Sequence, residues 1–204
     1  LNSALKQQPS FDRARLALWE VFTEQGDHQK ALAAAASVTS ISHWGRQARF
    51  LAGVSQLQLK KYDDAFATFN ALAEAQPTPT VLNNLGVVQL RRGATPQTGV
   101  PTYYFSKAAE ADPGDQDYVF NLGYAYWENR DPPGAVYWLR EAVRRNPADG
   151  DAHFVLAAAL AAQGETAEST RERELARRLS STYDAMARRP GGEMRRFEER
   201  VARP

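Results

Sequence analysis

The chain has 204 residues, of which 43% are hydrophobic and 24% charged, a balance ordinary for a globular protein with room for one large core or two small ones. Its formal net charge of +1 gives no reason to expect a global pull toward nucleic acid or an anionic membrane. The lack of cysteine excludes disulfides, thiol catalysis and Cys-based zinc sites, and no apolar run approaches the roughly 18 residues of a membrane span.

Residues 1–11 open with LNSALKQQPSF, where Ala4-Leu5 resemble the end of a helix and Pro9 stands 68 residues before Pro77. This stretch is expected to be the end of an earlier repeat, as in a chain excised from a longer array, or else an N-terminal cap. Five helix pairs are then predicted. The first, 12–45, carries Leu18, Trp19 and Phe22, then Gly26, Ala31, Ala35 and Val38. The second, 46–78, carries Ala52, Gly53, Ala65, Phe69, Leu72 and Pro77. The third, 79–115, carries Leu82, Leu85 and Gly86, then Phe105, Ala108 and Pro113. The fourth, 116–149, carries Val119, Leu122, Gly123 and Tyr126, then Ala135, Leu139, Ala142 and Pro147. The fifth, 150–182, carries His153, Leu156, Ala157 and Leu160, then Ser169, Arg173 and Ala176.

The period organises these residues. Trp19 to Gly53, Ala31 to Ala65, Gly123 to Ala157 and Pro113 to Pro147 are each 34 positions apart, while Gly53 to Gly86 is 33 and Gly86 to Gly123 is 37. Glycine inside a helix costs about 1 kcal/mol against alanine, so its recurrence at Gly53, Gly86 and Gly123 demands a reason. The expected reason is close approach of the paired helices where Ala65, Ala135 or Ser169 faces the small residue, with apolar burial offsetting the lost propensity. An apolar or aromatic residue, then Leu-Gly, Tyr, Ala, a large apolar residue and a closing Pro resemble the tetratricopeptide repeat (TPR) family, best over 119–147. That resemblance implies an all-α, right-handed superhelix of about five helix-turn-helix repeats, finished by a C-terminal capping helix. Trp19, where the family prefers a small residue, and Arg173, where it prefers an apolar one, depart from the pattern. The Ala- and Arg-rich composition points to a bacterial source.

Punctuation agrees with the period. Asp131 before Pro132 reads as an N-cap with proline at the first helical position, and Gly26, Gly93 and Gly164 read as C-terminal caps. Pro77, Pro113 and Pro147 close second helices. The third pair carries surplus residues in GATPQTGVP, 93–101, all turn formers and expected to be a surface loop. Residues 165–189 read as one long helix with a stripe of Leu175, Leu179, Tyr183 and Met186 covering the last repeat. Beyond the break at 190–192, Met194, Phe197 and Val201 mark a short amphipathic segment within a C-terminal extension, 183–204. Ten Arg against six Asp or Glu over 171–204 leave a local +4. This suits a solvated helix face, with RNA binding by the basic tail as a weaker alternative.

No catalytic chemistry emerges. His28, His43 and His153 are far apart and form no ligand pair, and no phosphate-binding, dinucleotide-binding or nucleophile-elbow motif occurs. Asp63-Asp64 sit at a helix start, where carboxylates favour the dipole. The expectation is no enzyme activity, no cofactor and no metal within these residues. What remains is a concave face lined by first helices. Helical spacing places Phe50, Leu51, Val54 and Leu57 there from the second pair, Asn83, Asn84 and Val87 from the third, and Phe120, Asn121, Tyr124 and Trp127 from the fourth. In peptide-binding members of the family an asparagine just before Leu-Gly hydrogen-bonds the ligand backbone, and the resemblance carries that role to Asn84 and Asn121. No basic side chain stands among these positions, so the carboxylate clamp of chaperone-binding members is not expected. The reading is a protein-interaction scaffold holding an apolar or amphipathic partner segment, with Phe120, Tyr124 and Trp127 as anchors. The alternative is self-association through the groove or the Met194–Phe197–Val201 stripe, giving a homo-oligomer. No nucleic acid and no membrane insertion are expected.

Overall fold

The computed structural model describes residues 11–40, 42–93, 95, 98–187 and 200–202. Among them the secondary structure is all helical. The helices are α1 (Asp12–Glu24), α2 (His28–Ala36), α3 (Gly45–Gln58), α4 (Tyr62–Ala75), α5 (Pro79–Arg92), α6 (Pro101–Ala111), α7 (Gln116–Glu128), α8 (Pro132–Arg145), α9 (Gly150–Ala162), α10 (Thr166–Leu179) and α11 (Ser181–Ala187). They fall into two compact units. One holds the described residues up to Val100 together with Val201 and Ala202; the other runs from Pro101 to Arg200. The division falls between Val100 and Pro101, at the end of the surplus segment of the third repeat, so α5 and α6 lie in different units.

Local chemistry sets the helix starts. The side chains of Asp27, Thr78, Asp115, Asp131 and Asp149 each accept a backbone N–H from the first turn of α2, α5, α7, α8 and α9. Pro79 and Pro132 occupy opening positions of α5 and α8, where the missing N–H would have had no helical partner. At the other ends, Gly26, Gly93 and Gly164 take positive φ angles of 71°, 90° and 83°.

In the first unit α1 packs on α2, α2 on α3, α3 on α4 and α4 on α5. Gly53 of α3 faces α4 so closely that a Cβ built on it would stand 2.8 Å from the tip of the Phe69 ring. Phe69 is fully buried and meets Phe50 edge to face at 5.5 Å. The small side chain therefore makes room for the large apolar residue one turn beyond Ala65, rather than for Ala65 itself. Trp19, the misfit of the first repeat, is also buried; its indole N–H reaches the Leu51 carbonyl at 3.1 Å and the Ser55 hydroxyl at 2.8 Å. A large amphipathic side chain thus ties α1 directly to α3. The surplus segment is held too: Gln89 of α5, fully buried, donates to the carbonyls of Thr98 at 2.6 Å and Gly99 at 2.8 Å. Its described residues are pinned to α5, which the composition of turn formers did not indicate.

The second unit repeats the scheme. Consecutive helices from α6 to α9 that share packing do so in order, α9 packs on α10, and α10 on α11. A Cβ on Gly123 of α7 would lie 2.8 Å from Leu139 Cγ and 3.1 Å from the Leu139 backbone nitrogen in α8. In the fifth repeat Arg173 stands at the position of Leu139 and is exposed, while Ala157 is buried. There the serine takes over: Ser169 of α10 donates to the Ala157 carbonyl at 2.8 Å. His153 is buried and structural, with Nδ1 2.5 Å from a Glu172 carboxylate oxygen and Nε2 3.1 Å from the Pro147 carbonyl.

The long helix expected over 165–189 is two helices. Ser180 takes extended angles, φ −143° and ψ 123°, and ends α10 before α11 begins. Serine side chains compete for backbone hydrogen bonds, and consecutive Ser180 and Ser181 favour a break. The turn lets Tyr183 stack on Phe154 of α9 at 4.3 Å and donate its hydroxyl to Asp151. Tyr183 is buried, whereas Leu175 and Leu179 stay exposed, so the expected stripe is not one continuous cover. The expectations for residues 1–10, for the side chain of Met186 and for Met194 and Phe197 lie outside the described residues. Val201 is described and is not helical.

These contacts make Gly123→Ala a sensitive substitution. Alanine gains about 1 kcal/mol of helix propensity, yet overpacking a core of this kind costs about 1–3 kcal/mol. The backbone nitrogen of Leu139 leaves little room to yield. A net loss of about 1 kcal/mol, seen as a lower midpoint in thermal or urea unfolding, is expected; an unchanged or raised midpoint would refute the close-approach account.

Candidate functional site

In the second unit α7 presents Asp117, Phe120, Asn121 and Tyr124 on one helical face, at spacings of three and four residues. Asp149 joins them from the start of α9. The backbone and side chain of Arg200 are seated among these groups. The Asn121 amide donates from Nδ2 to the Arg200 carbonyl at 2.9 Å and accepts the Arg200 N–H on Oδ1 at 2.9 Å. One side chain therefore meets both polar groups of one residue, as a neighbouring strand would. The guanidinium divides its nitrogens, Nη1 to Asp117 at 2.6 Å and Nη2 to Asp149 at 2.5 Å. Its carbon lies 3.9 Å from the centre of the Phe120 ring, a cation–π geometry.

Electrostatics explain why this charge can sit there. Burial of Arg200 opposes ionisation, but the neighbouring Asp149 carboxylate, then Asp117, outweigh it and hold the guanidinium pKa above its ordinary value. The Asp149 side chain is nearly buried, and its second oxygen, Oδ1, caps α9 by accepting from Ala152 N–H at 3.1 Å. Phe120 is supported from behind by Tyr124, stacked nearly parallel with centroids 6.2 Å apart.

In the first unit Asn84 of α5 makes the same double contact. Its Nδ2 donates to the Ala202 carbonyl at 3.0 Å, and its Oδ1 accepts the Ala202 N–H at 2.8 Å. Asn83 donates to Asn84 Oδ1 at 3.3 Å, which helps set the orientation of that amide.

Placement of the sequence-selected residues is therefore uneven. Asn84 and Asn121 are fully buried, and each pairs with the backbone of this chain's own C-terminal segment. Phe120 and Tyr124 are also buried, Phe120 beneath the guanidinium; Trp127 is half-buried. Phe50 packs on Phe69 inside its own helix pair, and Leu57 and Val87 are fully buried core side chains rather than an open lining. Asp117, Asp149 and Arg200 escaped the sequence reading. Asp117 had a signal, since it stands four residues before Asn121 and so shares its face. Asp149 carries the local signature of a helix cap and none of a binding residue, and nothing local connects Arg200 to α7. Asp63 is held by Arg92 at 2.7 Å. Among the described residues no group of three or more metal-capable side chains converges, and no helix is long and apolar enough to cross a membrane.

A family model described as "Tetratricopeptide repeat" matches residues 44–80, 103–149 and 139–172. Among solved structures, MamA from Desulfovibrio magneticus RS-1, from residue 41 to its end, aligns with a TM-score of 0.71 at 16% identity, covering 85% of this chain and 97% of that one. YrrB, described as a TPR protein with an unusual peptide-binding site, aligns with a TM-score of 0.66 at 15% identity, covering 91% and 96%. MamA AMB-1 aligns with a TM-score of 0.64 at 17% identity, covering 87% and 98%. No curated protein matches the chain in sequence.

The acidic character of this end of α7 has a titratable witness. Burial first, then Asp115, Asp112 and Asp117, push the Tyr118 phenol up from 10.0 to about 12. The unfolded chain then ionises Tyr118 near pH 10 and the folded chain near 12. The resulting stability is fully present below about pH 10 and lost as pH rises toward 12, on the order of 2–3 kcal/mol at 1.36 kcal/mol per unit. Urea unfolding from pH 8 to 12 should show that decline, and Tyr118→Phe should flatten it. An equal decline in the variant would assign it elsewhere.

Proposed function

This chain belongs to the tetratricopeptide-repeat family, and from that premise we propose that it is a non-catalytic interaction module, a scaffold or adaptor that holds extended main chain of a partner protein on the face of α7 in the second unit, with α5 of the first unit offering a comparable face of its own. The observation that carries this reading is the double hydrogen bond of Asn121 to one backbone residue. An amide that takes both the N–H and the C=O of a residue recognises main chain irrespective of side chain, which is the chemistry of peptide capture. Asn84 offers the same pair. The description of YrrB, which names a peptide-binding site on a protein of this fold, supports the reading by analogy. Burial of Phe50, Leu57 and Val87 argues against a broad apolar trough and for recognition centred on the asparagines, Phe120 and the carboxylates beside it.

Panning a random-peptide display library against the full chain should enrich segments whose affinity falls at least tenfold in the Asn84→Ala, Asn121→Ala double variant. The double variant should also unfold a few degrees earlier, because four hydrogen bonds to the chain's own C-terminal segment are lost at about 1 kcal/mol or less each. Enriched peptides that bind wild type and variant equally would sink the proposal.

A further inference from the structure

The geometry points to an arginine-reading site: Asp117, Phe120, Asn121 and Asp149 of the second unit select a partner segment that presents an arginine in extended backbone, and Arg200 of this chain is its resident competitor. This rests on the peptide-capture reading above and names the ligand's chemistry.

Each feature of the seat discriminates. Asn121 fixes the backbone of the selected residue, because the Nδ2 and Oδ1 contacts, both 2.9 Å, are satisfied together only when its N–H and C=O face the same way. The two carboxylates take different nitrogens of the guanidinium, Asp117 on Nη1 and Asp149 on Nη2. A planar, forked cation satisfies both at once; the single ammonium of lysine does not. The ring of Phe120, 3.9 Å from the guanidinium carbon, adds a flat surface that matches a flat cation. The site is also built without its occupant: Asp149 is oriented by capping α9, and Phe120 is held by Tyr124. An anionic or purely apolar segment would leave the nearly buried Asp149 facing no cation, which disfavours both.

Because the occupant belongs to the same chain, its effective concentration is high and a partner must displace it. Weakening the resident therefore exposes the site without shortening the chain. The test uses a fluorescent nine-residue peptide with the sequence of residues 196–204, RFEERVARP, and the full chain as wild type, as Arg200→Glu and as Arg200→Glu combined with Asp117→Asn and Asp149→Asn. Asparagine preserves the helix cap at 149, and circular dichroism of each variant checks folding. Fluorescence anisotropy should show the peptide binding Arg200→Glu at least tenfold more tightly than wild type. Affinity should fall at least tenfold when the peptide's own arginine at 200 is alanine and severalfold when it is lysine. The two Asp→Asn changes should reduce it at least tenfold.

Equal binding to wild type and Arg200→Glu, or indifference to the peptide's arginine, would overturn the inference. Light scattering should find wild type monomeric; a dimer dissolved by Arg200→Glu would replace the partner with a second copy and overturn it too. The two levels separate cleanly. Library peptides that depend on Asn121 but lack arginine would refute the arginine reading while leaving peptide capture standing, and loss of all asparagine dependence would remove both.

Discussion

The structure depends on one steric constraint: a first helix must offer almost no side chain where its partner inserts a large one. Gly53 accommodates Phe69 and Gly123 accommodates Leu139, each with a separation that a methyl group would violate by several tenths of an ångström. Helix propensity is sacrificed at these points because the fully buried ring or isobutyl group gains more from leaving water and from close dispersion contacts. The same constraint tells why the fifth pair differs. With exposed Arg173 at the inserting position, alanine stands at 157 in place of glycine, and the Ser169 hydroxyl donates to its carbonyl.

That nesting of helices also positions the side chains proposed to meet a partner. Side chains at spacings of three and four on α7 must either join the core or emerge beside the next helix, and the sequence uses both outcomes within two turns. Leu122 enters the core, while Asn121 and Asp117 turn to the side where Asp149 opens α9. Asp117, Phe120 and Asn121 need no loop rearrangement to come together, because they stand on one helix whose position against α8 the contact of Gly123 with Leu139 has already set.

The repeat period made the helix pairs and their core legible, since burial recurs with sequence spacing and small residues are distinctive. Asn84 and Asn121 stood out only through the family resemblance, as the residues just before Leu85-Gly86 and Leu122-Gly123, and their role toward a partner is a proposal. The nature of what they touch was not legible. Charge partners come from residues distant in sequence: Arg200 lies 83 positions from Asp117 and 51 from Asp149. No local pattern encodes such a meeting. The break at Ser180 was missed because the apolar positions 175, 179 and 183 continue in helical register through it, and periodicity alone does not register a change of axis. Aromatic residues misled in another way: Phe50, Phe120 and Tyr124 look alike in sequence, yet one packs within its pair while another carries a cation.

Asp149 holds the first turn of α9 with one oxygen and the Arg200 guanidinium with the other. Two equilibria that would ordinarily be separate, fraying of a helix end and occupancy of a binding seat, are thereby linked through a single carboxylate. By reciprocity, whatever steadies that turn strengthens the grip on the cation, and whatever fills the seat steadies the turn in equal measure. The last repeat is thus coupled, through one residue, to whether a guanidinium occupies that place.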